Sequence, residues 1–177
     1  MVTLDGFFEG VNHNVSWHNI DTEFNEFAIA QRNEIGTLLF GRVAYQMMAS
    51  YWPTAEAIKN DPVVPDLMNR MPKIVVSKTM TAAEWNNTKL IKDRMADEIS
   101  KLKKQSGQNL AICASANLMS TLMRLDLIDE HRVMVNPVIL GTGTPLFQTR
   151  DKLNLRLIGT RAFGNGKVWL RYESKRN

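Results

Sequence analysis

Four short apolar runs, each closed by a residue that breaks regular structure or opens a new segment, set the main constraint on this chain. They are Thr37-Leu38-Leu39-Phe40 before Gly41, Lys73-Ile74-Val75-Val76-Ser77 after Pro72, Leu110-Ala111-Ile112-Cys113, and Arg132-Val133-Met134-Val135-Asn136 before Pro137. Each is too short for a helix and too uniformly apolar for an exposed hairpin, so each reads as a strand buried on both faces of a mainly parallel sheet. Between them lie stretches with helical spacing. Asp21 or Thr22 caps a helix to about Glu34 that places Phe24, Phe27, Ala28 and Gln31 at helical intervals, and Arg42 to Tyr51 reads as a second. Asp93 caps a third with Met95, Ile99 and Leu102 inward and an Asp97–Lys101 pair outward, and Ser115 caps a fourth with Leu118, Leu122 and Leu125 inward. The order β-α-β-α-β-α-β implies right-handed crossovers and a parallel sheet with helices on its faces.

The end of the chain has a different texture. Leu153 to Ile158 alternates strictly, and Val168 to Tyr172 follows the turn Gly164-Asn165-Gly166, which is a hairpin signal. The fold class is therefore α/β: a twisted, mostly parallel sheet flanked by helices, with a C-terminal antiparallel hairpin. The stretch from Thr54 to Met71 reads as one or two short helices or a loop. The length of 177 residues fits one domain over 1–177, able to bury a core without disulfide or metal.

Composition excludes several classes. The single cysteine, Cys113, forms no internal disulfide and reads as a small buried hydrophobe, while His13, His18 and His131 lack metal-ligand spacing, so no metal is expected. The basic residues giving the net charge of +4 are dispersed without interleaved aromatics, which argues against nucleic acid. No apolar run reaches the ~20 residues of a membrane helix, and Met1 to Asp5 has no signal-peptide pattern, so a cytoplasmic location is expected.

In open α/β sheets ligands sit beyond the carboxyl ends of the strands. Gly41-Arg42 offers close backbone approach and a guanidinium fork, Ser77-Lys78 a hydroxyl and a cation, and Ala114-Ser115-Ala116-Asn117 small residues at a helix start suited to an anion. Each feature alone has a plain structural explanation: a turn, a solvated side chain, a cap. The Gly141-Thr142-Gly143-Thr144-Pro145 loop is not followed by a helix, so it reads as a structural turn first and a substrate-facing loop second.

The segments Thr3-Leu4-Asp5-Gly6-Phe7, Leu39 to Tyr45, Val75 to Thr79, Ser115 to Leu118 and Asn136 to Phe147 resemble, in order and across the chain, the reductase domain of bacterial riboflavin biosynthesis, within the dihydrofolate-reductase-like superfamily. The resemblance implies an NADPH-dependent oxidoreductase that passes hydride to a small pyrimidine- or pterin-like acceptor, and it suggests a homodimer. It implies that Gly41 and Arg42 meet cofactor phosphates, that Ser77 and Lys78 meet the adenosine 2′-phosphate, and that Ala114, Ser115, Ala116, Asn117 and Leu118 form the pyrophosphate-binding helix start. Asp5 and Gly6 match the loop over the nicotinamide and substrate; Phe8 and Trp17 complete the substrate-binding set. Asp5 is the first candidate catalytic acid and Asp21 the second, although Asp5 is equally a turn residue and Asp21 equally an N-cap; His18 has no visible partner to tune it. Two departures stand out: Ala114 replaces a frequent glycine, and Ala44 a frequent threonine. The alternative is a nucleotide-binding module of the same fold with little or no catalysis.

Overall fold

The computed structural model of the protein describes residues 1–148 and 152–175. In chain order its elements are β1 (Val2–Thr3), β2 (Phe7–Glu9), a 3-10 turn (Val11–His13), α1 (Thr22–Arg32), β3 (Ile35–Gly41), α2 (Arg42–Tyr51), α3 (Ala55–Asn60), α4 (Val64–Arg70), β4 (Lys73–Val76), β5 (Thr88–Ile91), α5 (Met95–Lys103), β6 (Asn109–Ile112), α6 (Ala116–Arg124), β7 (Glu130–Asn136), β8 (Thr144–Pro145), β9 (Leu155–Ala162) and β10 (Val168–Ser174). Contacts group the chain into two units, one of Met1–Phe27 with Ser120–Asn177 and one of Ala28–Met119.

The Ala28–Met119 unit carries an all-parallel sheet in the order β5-β4-β3-β6. Its inner strands are the most apolar: Phe40 and Val75 are fully buried, and Leu38, Tyr45, Met68 and Trp85 pack around them. Tyr45 and Trp85 are also satisfied as polar groups. The Tyr45 hydroxyl accepts the Trp85 backbone N–H at 2.9 Å, and Trp85 Nε1 donates to Asn69 Oδ1 at 2.7 Å. Lys73 opens β4 and is 1% exposed. Its Nζ donates to the carbonyls of Met68 (2.7 Å), Asn69 (3.2 Å) and Met71 (2.6 Å) and lies 4.4 Å from the centre of the Trp85 ring. The ammonium thus closes the last turn of α4, whose carbonyls have no helical donors of their own.

The other unit holds a mixed sheet in the order β1-β7-β10-β9, with β1–β7 parallel and the β7–β10 and β10–β9 pairs antiparallel, plus the short antiparallel β2–β8 pair. The hairpin expected at the C-terminus is β9–β10. The fourth apolar run is β7. It belongs to this mixed sheet rather than to the parallel one, because its hydrogen-bonding edges are taken by β1 and β10.

Three local expectations are corrected. The parallel sheet has a strand beyond the expected runs: β5, where Thr88 to Ile91 pairs with Lys73 to Val76 along the outer edge of β4. Asp93 does not cap α5: the residue at the N-cap is Arg94, in the left-handed region at φ 53°, with no side-chain cap bond. On that helix Asp97 pairs with Arg94 at 3.0 Å and Lys101 with Glu98 at 3.6 Å, since both three-residue spacings bring the groups together in place of the expected Asp97–Lys101 pair.

Candidate functional site

Parallel pairing sets the carboxyl ends of β4, β3 and β6 side by side, so Ser77, Gly41 and Cys113 finish on one edge of the sheet. Gly41 ends β3 and is the N-cap of α2, where no side chain caps the helix. The backbone N–H groups of that first turn are therefore not engaged by a cap side chain. A Cβ on Gly41 would stand 2.5 Å from Ser115 Oγ, so the bare glycine leaves the space beside the start of α6 to that hydroxyl. Ala114, just before, has φ +50°, a conformation that favours glycine. This is the physical reason a glycine suits that position. Ala116 and Leu118 are buried and anchor α6, while Asn117 is exposed.

The charged groups at this edge differ in freedom. Arg42 is exposed, and its Nη1 donates to Gln46 Oε1 at 3.1 Å on the same helix. Lys78 is exposed. Ser77 is buried, and its Oγ accepts the backbone N–H groups of Thr79 (3.2 Å) and Met80 (3.1 Å), so the hydroxyl holds the turn after β4. Ser77 thus shapes the turn that presents Lys78.

In the other unit the two acid candidates are structural ties. Asp5 accepts the Thr3 hydroxyl at 2.6 Å and the backbone N–H of Gly141 at 2.8 Å and of Leu140 at 3.2 Å. The Thr3 hydroxyl first, then the two amides, hold its carboxyl below the usual carboxylate range. Gly6 follows at φ +86°, and Phe8 sits half-buried in β2. Asp21 accepts the Phe24 N–H at 2.8 Å and a hydrogen bond from Asn165 Nδ2, with Lys167 Nζ at 4.0 Å. The Phe24 amide is the main cause that lowers its pKa, with Lys167 and Asn165 adding to it. The geometry therefore gives Asp21 the capping role and adds a second one, fastening the hairpin turn to the start of α1. Glu23 repeats the device, accepting Gly164 N–H at 3.0 Å and Arg161 Nη2 at 2.9 Å.

Trp17 and His18 pack edge to face with centroids 4.4 Å apart. Trp17 Nε1 and His18 Nε2 are buried with no hydrogen-bond partner among the described residues. Burial first, then the positive charges of the N-terminus and Lys167, push the His18 imidazole down to about 4, so it is neutral at physiological pH.

Sequence reasoning also missed the burial of Lys167 and of the Arg32 guanidinium end. Lys167 is fully buried, bonds the Asn19 carbonyl and lies over the Phe24 ring at 4.2 Å. Arg32, at the last turn of α1, has a buried Nη1 without a hydrogen-bond partner among the described residues, and burial lowers its pKa. Cys113, expected to be buried, is partly buried against the core of the Ala28–Met119 unit, and desolvation raises its thiol pKa. Among the described residues no cluster of His, Cys, Asp and Glu could hold a metal, and no helix is long and apolar enough to cross a membrane.

Comparison with known proteins adds the following. Residues 1–169 match the RibD C-terminal domain family. The uncharacterized protein YyaP of Bacillus subtilis is 35% identical over 174 residues, covering 97% of this chain and 90% of that protein. A Shewanella sp. PV-4 protein assigned to riboflavin biosynthesis superposes with a TM-score of 0.74 at 24% identity, covering 99% of this chain and 96% of that one. The diaminohydroxyphosphoribosylaminopyrimidine deaminase/5-amino-6-(5-phosphoribosylamino)uracil reductase of Thermotoga maritima superposes at 0.67 with 13% identity, covering 98% of this chain and 54% of that one. At such identities the two structures establish the fold alone.

Proposed function

The chain belongs to the RibD C-terminal domain family, and from this we propose that it is an NADPH-dependent reductase acting on a small pyrimidine- or pterin-like acceptor. The observation that carries this reading is the close approach of Gly41 to Ser115 between two helix starts on one sheet edge. Helix starts next to small residues suit phosphate oxygens, because free N–H groups and the helix dipole both favour an anion. In this reading Arg42 and Lys78 take the additional 2′-phosphate, which favours NADPH over NADH by charge. The bound cofactor would supply the hydride, and the protein's part is to orient it and exclude water.

Titration of the protein's tryptophan fluorescence with each cofactor, checked by calorimetry, tests the reading. NADPH is expected to bind in the micromolar range and NADH at least ~10-fold more weakly, about 1.4 kcal/mol. Arg42→Ala and Lys78→Ala should each reduce that preference. No saturable response to either cofactor overturns the reading.

One observation favours the alternative of a nucleotide-binding module without catalysis. Asp5 and Asp21 are both held as carboxylates by hydrogen bonds, so neither carries a proton to give at neutral pH. NADPH binding with no NADPH oxidation across pyrimidine and pterin acceptors would select it.

A further inference from the structure

Residues 9–13 and 142–144 line a solvent-open cleft of about 500 Å³ in the Met1–Phe27 and Ser120–Asn177 unit. Its walls are fixed by backbone. Glu9 pairs with Thr144 across the β2–β8 ladder, and Gly10 N–H donates to the Asn14 carbonyl at 2.8 Å. Gly143, at φ +154°, approaches so closely that a Cβ there would overlap the Glu9 carbonyl oxygen.

The polar groups inside are ordered by one carboxylate. Glu9 receives His13 Nδ1 at 2.9 Å through one oxygen and the Thr144 hydroxyl at 2.9 Å through the other. Its side chain is 14% exposed, whereas that of His13 is 71% exposed. With Nδ1 engaged by Glu9, Nε2 is the ring nitrogen left to meet a ligand. The arrangement has a conformational cost. Asn12 and His13 are consecutive residues in the left-handed region, at φ 57° and 59°; asparagine tolerates it, whereas for His13 it is disfavoured by ~1–2 kcal/mol.

The lining defines the ligand by what it offers. It contains no lysine or arginine to give a phosphate a fixed positive charge, and no phenyl or indole face. It offers a carboxylate, an imidazole, the Asn12 amide and the hydroxyls of Thr142 and Thr144, which are the partners of hydroxyl groups. We propose that this cleft binds an uncharged polyhydroxylated small molecule, with Glu9 and His13 Nε2 hydrogen-bonded to its hydroxyl groups. The site does not depend on cofactor use, so failure of the NADPH titration leaves it standing, and the reverse.

The test is a proton–nitrogen correlation NMR titration of the full chain with D-ribose, without NADPH. Saturable millimolar shifts confined to the amides of residues 9–13 and 142–144 are expected. His13→Asn, which tolerates the left-handed backbone, should weaken binding at least ~10-fold, and Thr142→Val, on the exposed loop, should weaken it ~3-fold, the scale of lost hydrogen bonds. Absence of saturable shifts, or affinity unchanged in both folded variants, overturns the proposal. So does tighter binding of ribose 5-phosphate than of ribose at the same residues, which would reveal an anion site.

Discussion

Ser115 Oγ occupies the space that a side chain on Gly41 would need, 2.5 Å from the position of its Cβ. Gly41→Ala makes the Ser115 hydroxyl turn aside and, with φ −78° open to any residue, is expected to cost less than ~1 kcal/mol of stability while weakening NADPH binding. Gly41→Ala with Ser115→Ala removes the clashing oxygen and should recover most of the stability. Urea unfolding of the two variants checks this; equal losses in both would show that Ser115 is not the obstacle.

Ala114 takes the left-handed conformation at φ +50° that its Cβ opposes. Ala114→Gly should therefore stabilise the fold by ~0.5–1 kcal/mol despite the added freedom of the unfolded chain, because the relieved strain is larger than that entropy. Thermal unfolding measures it. A lower midpoint in the glycine variant would mean that the turn holds Ala114 without strain.

Asp21 joins the start of α1 to the hairpin turn through the Phe24 amide and Asn165. Its pKa in the folded chain lies below that of an ordinary aspartate, so the stability it contributes is present above pH ~4 and is lost as pH falls through the lower folded value. Asp21→Asn should lower the unfolding midpoint at pH 7 and flatten the acid side of the stability curve. If Asp21 is instead a proton donor with no structural part, the midpoint will stay and NADPH oxidation alone will fall.

Lys73 is charged in a place without a carboxylate. Burial brings its pKa down from 10.5 to about 8, so between those two values the unfolded chain binds more protons than the folded one. Stability from this group therefore rises with pH across that window and is lowest below pH 8. The rise should be ~1–2 kcal/mol, less than the full shift implies, because the neutral amine donates to only two of its three carbonyls. Denaturant curves at pH 7.5 and 10 should show it in the wild type and not in Lys73→Met.

Much of this architecture is written locally. The step from Phe40 to Gly41-Arg42 marks a strand end and a helix start, and β3 and α2 meet there. Thr88-Lys89-Leu90-Ile91 gives no comparable signal. Its two polar residues precede two apolar ones without alternation, and it becomes β5 because the outer edge of β4 is open to it. Arg94 starts α5 from a left-handed backbone that no capping residue announces. The site divides in the same way. Gly41, Arg42 and Ser115 are legible as strand-end residues, but the commitment of the Ser77 hydroxyl to its own turn depends on how residues 77–80 fold. The Glu9–His13 pair has the plain four-residue spacing of any helical ion pair; only the left-handed Asn12 and His13 bring it to a cleft wall.

The burial of Trp85 against Tyr45, with its indole donating to Asn69, has an optical consequence. Trp85 and Trp52 lie in the Ala28–Met119 unit, and Trp17 and Trp169 in the other. Each unit thus holds its own chromophores. Emission from Trp85 alone, after the other three are replaced by phenylalanine, reports the melting of one sheet. Emission from Trp169 alone, edge-on to Phe27 at 5.2 Å, reports the other, so the two transitions can be timed against each other within a single chain.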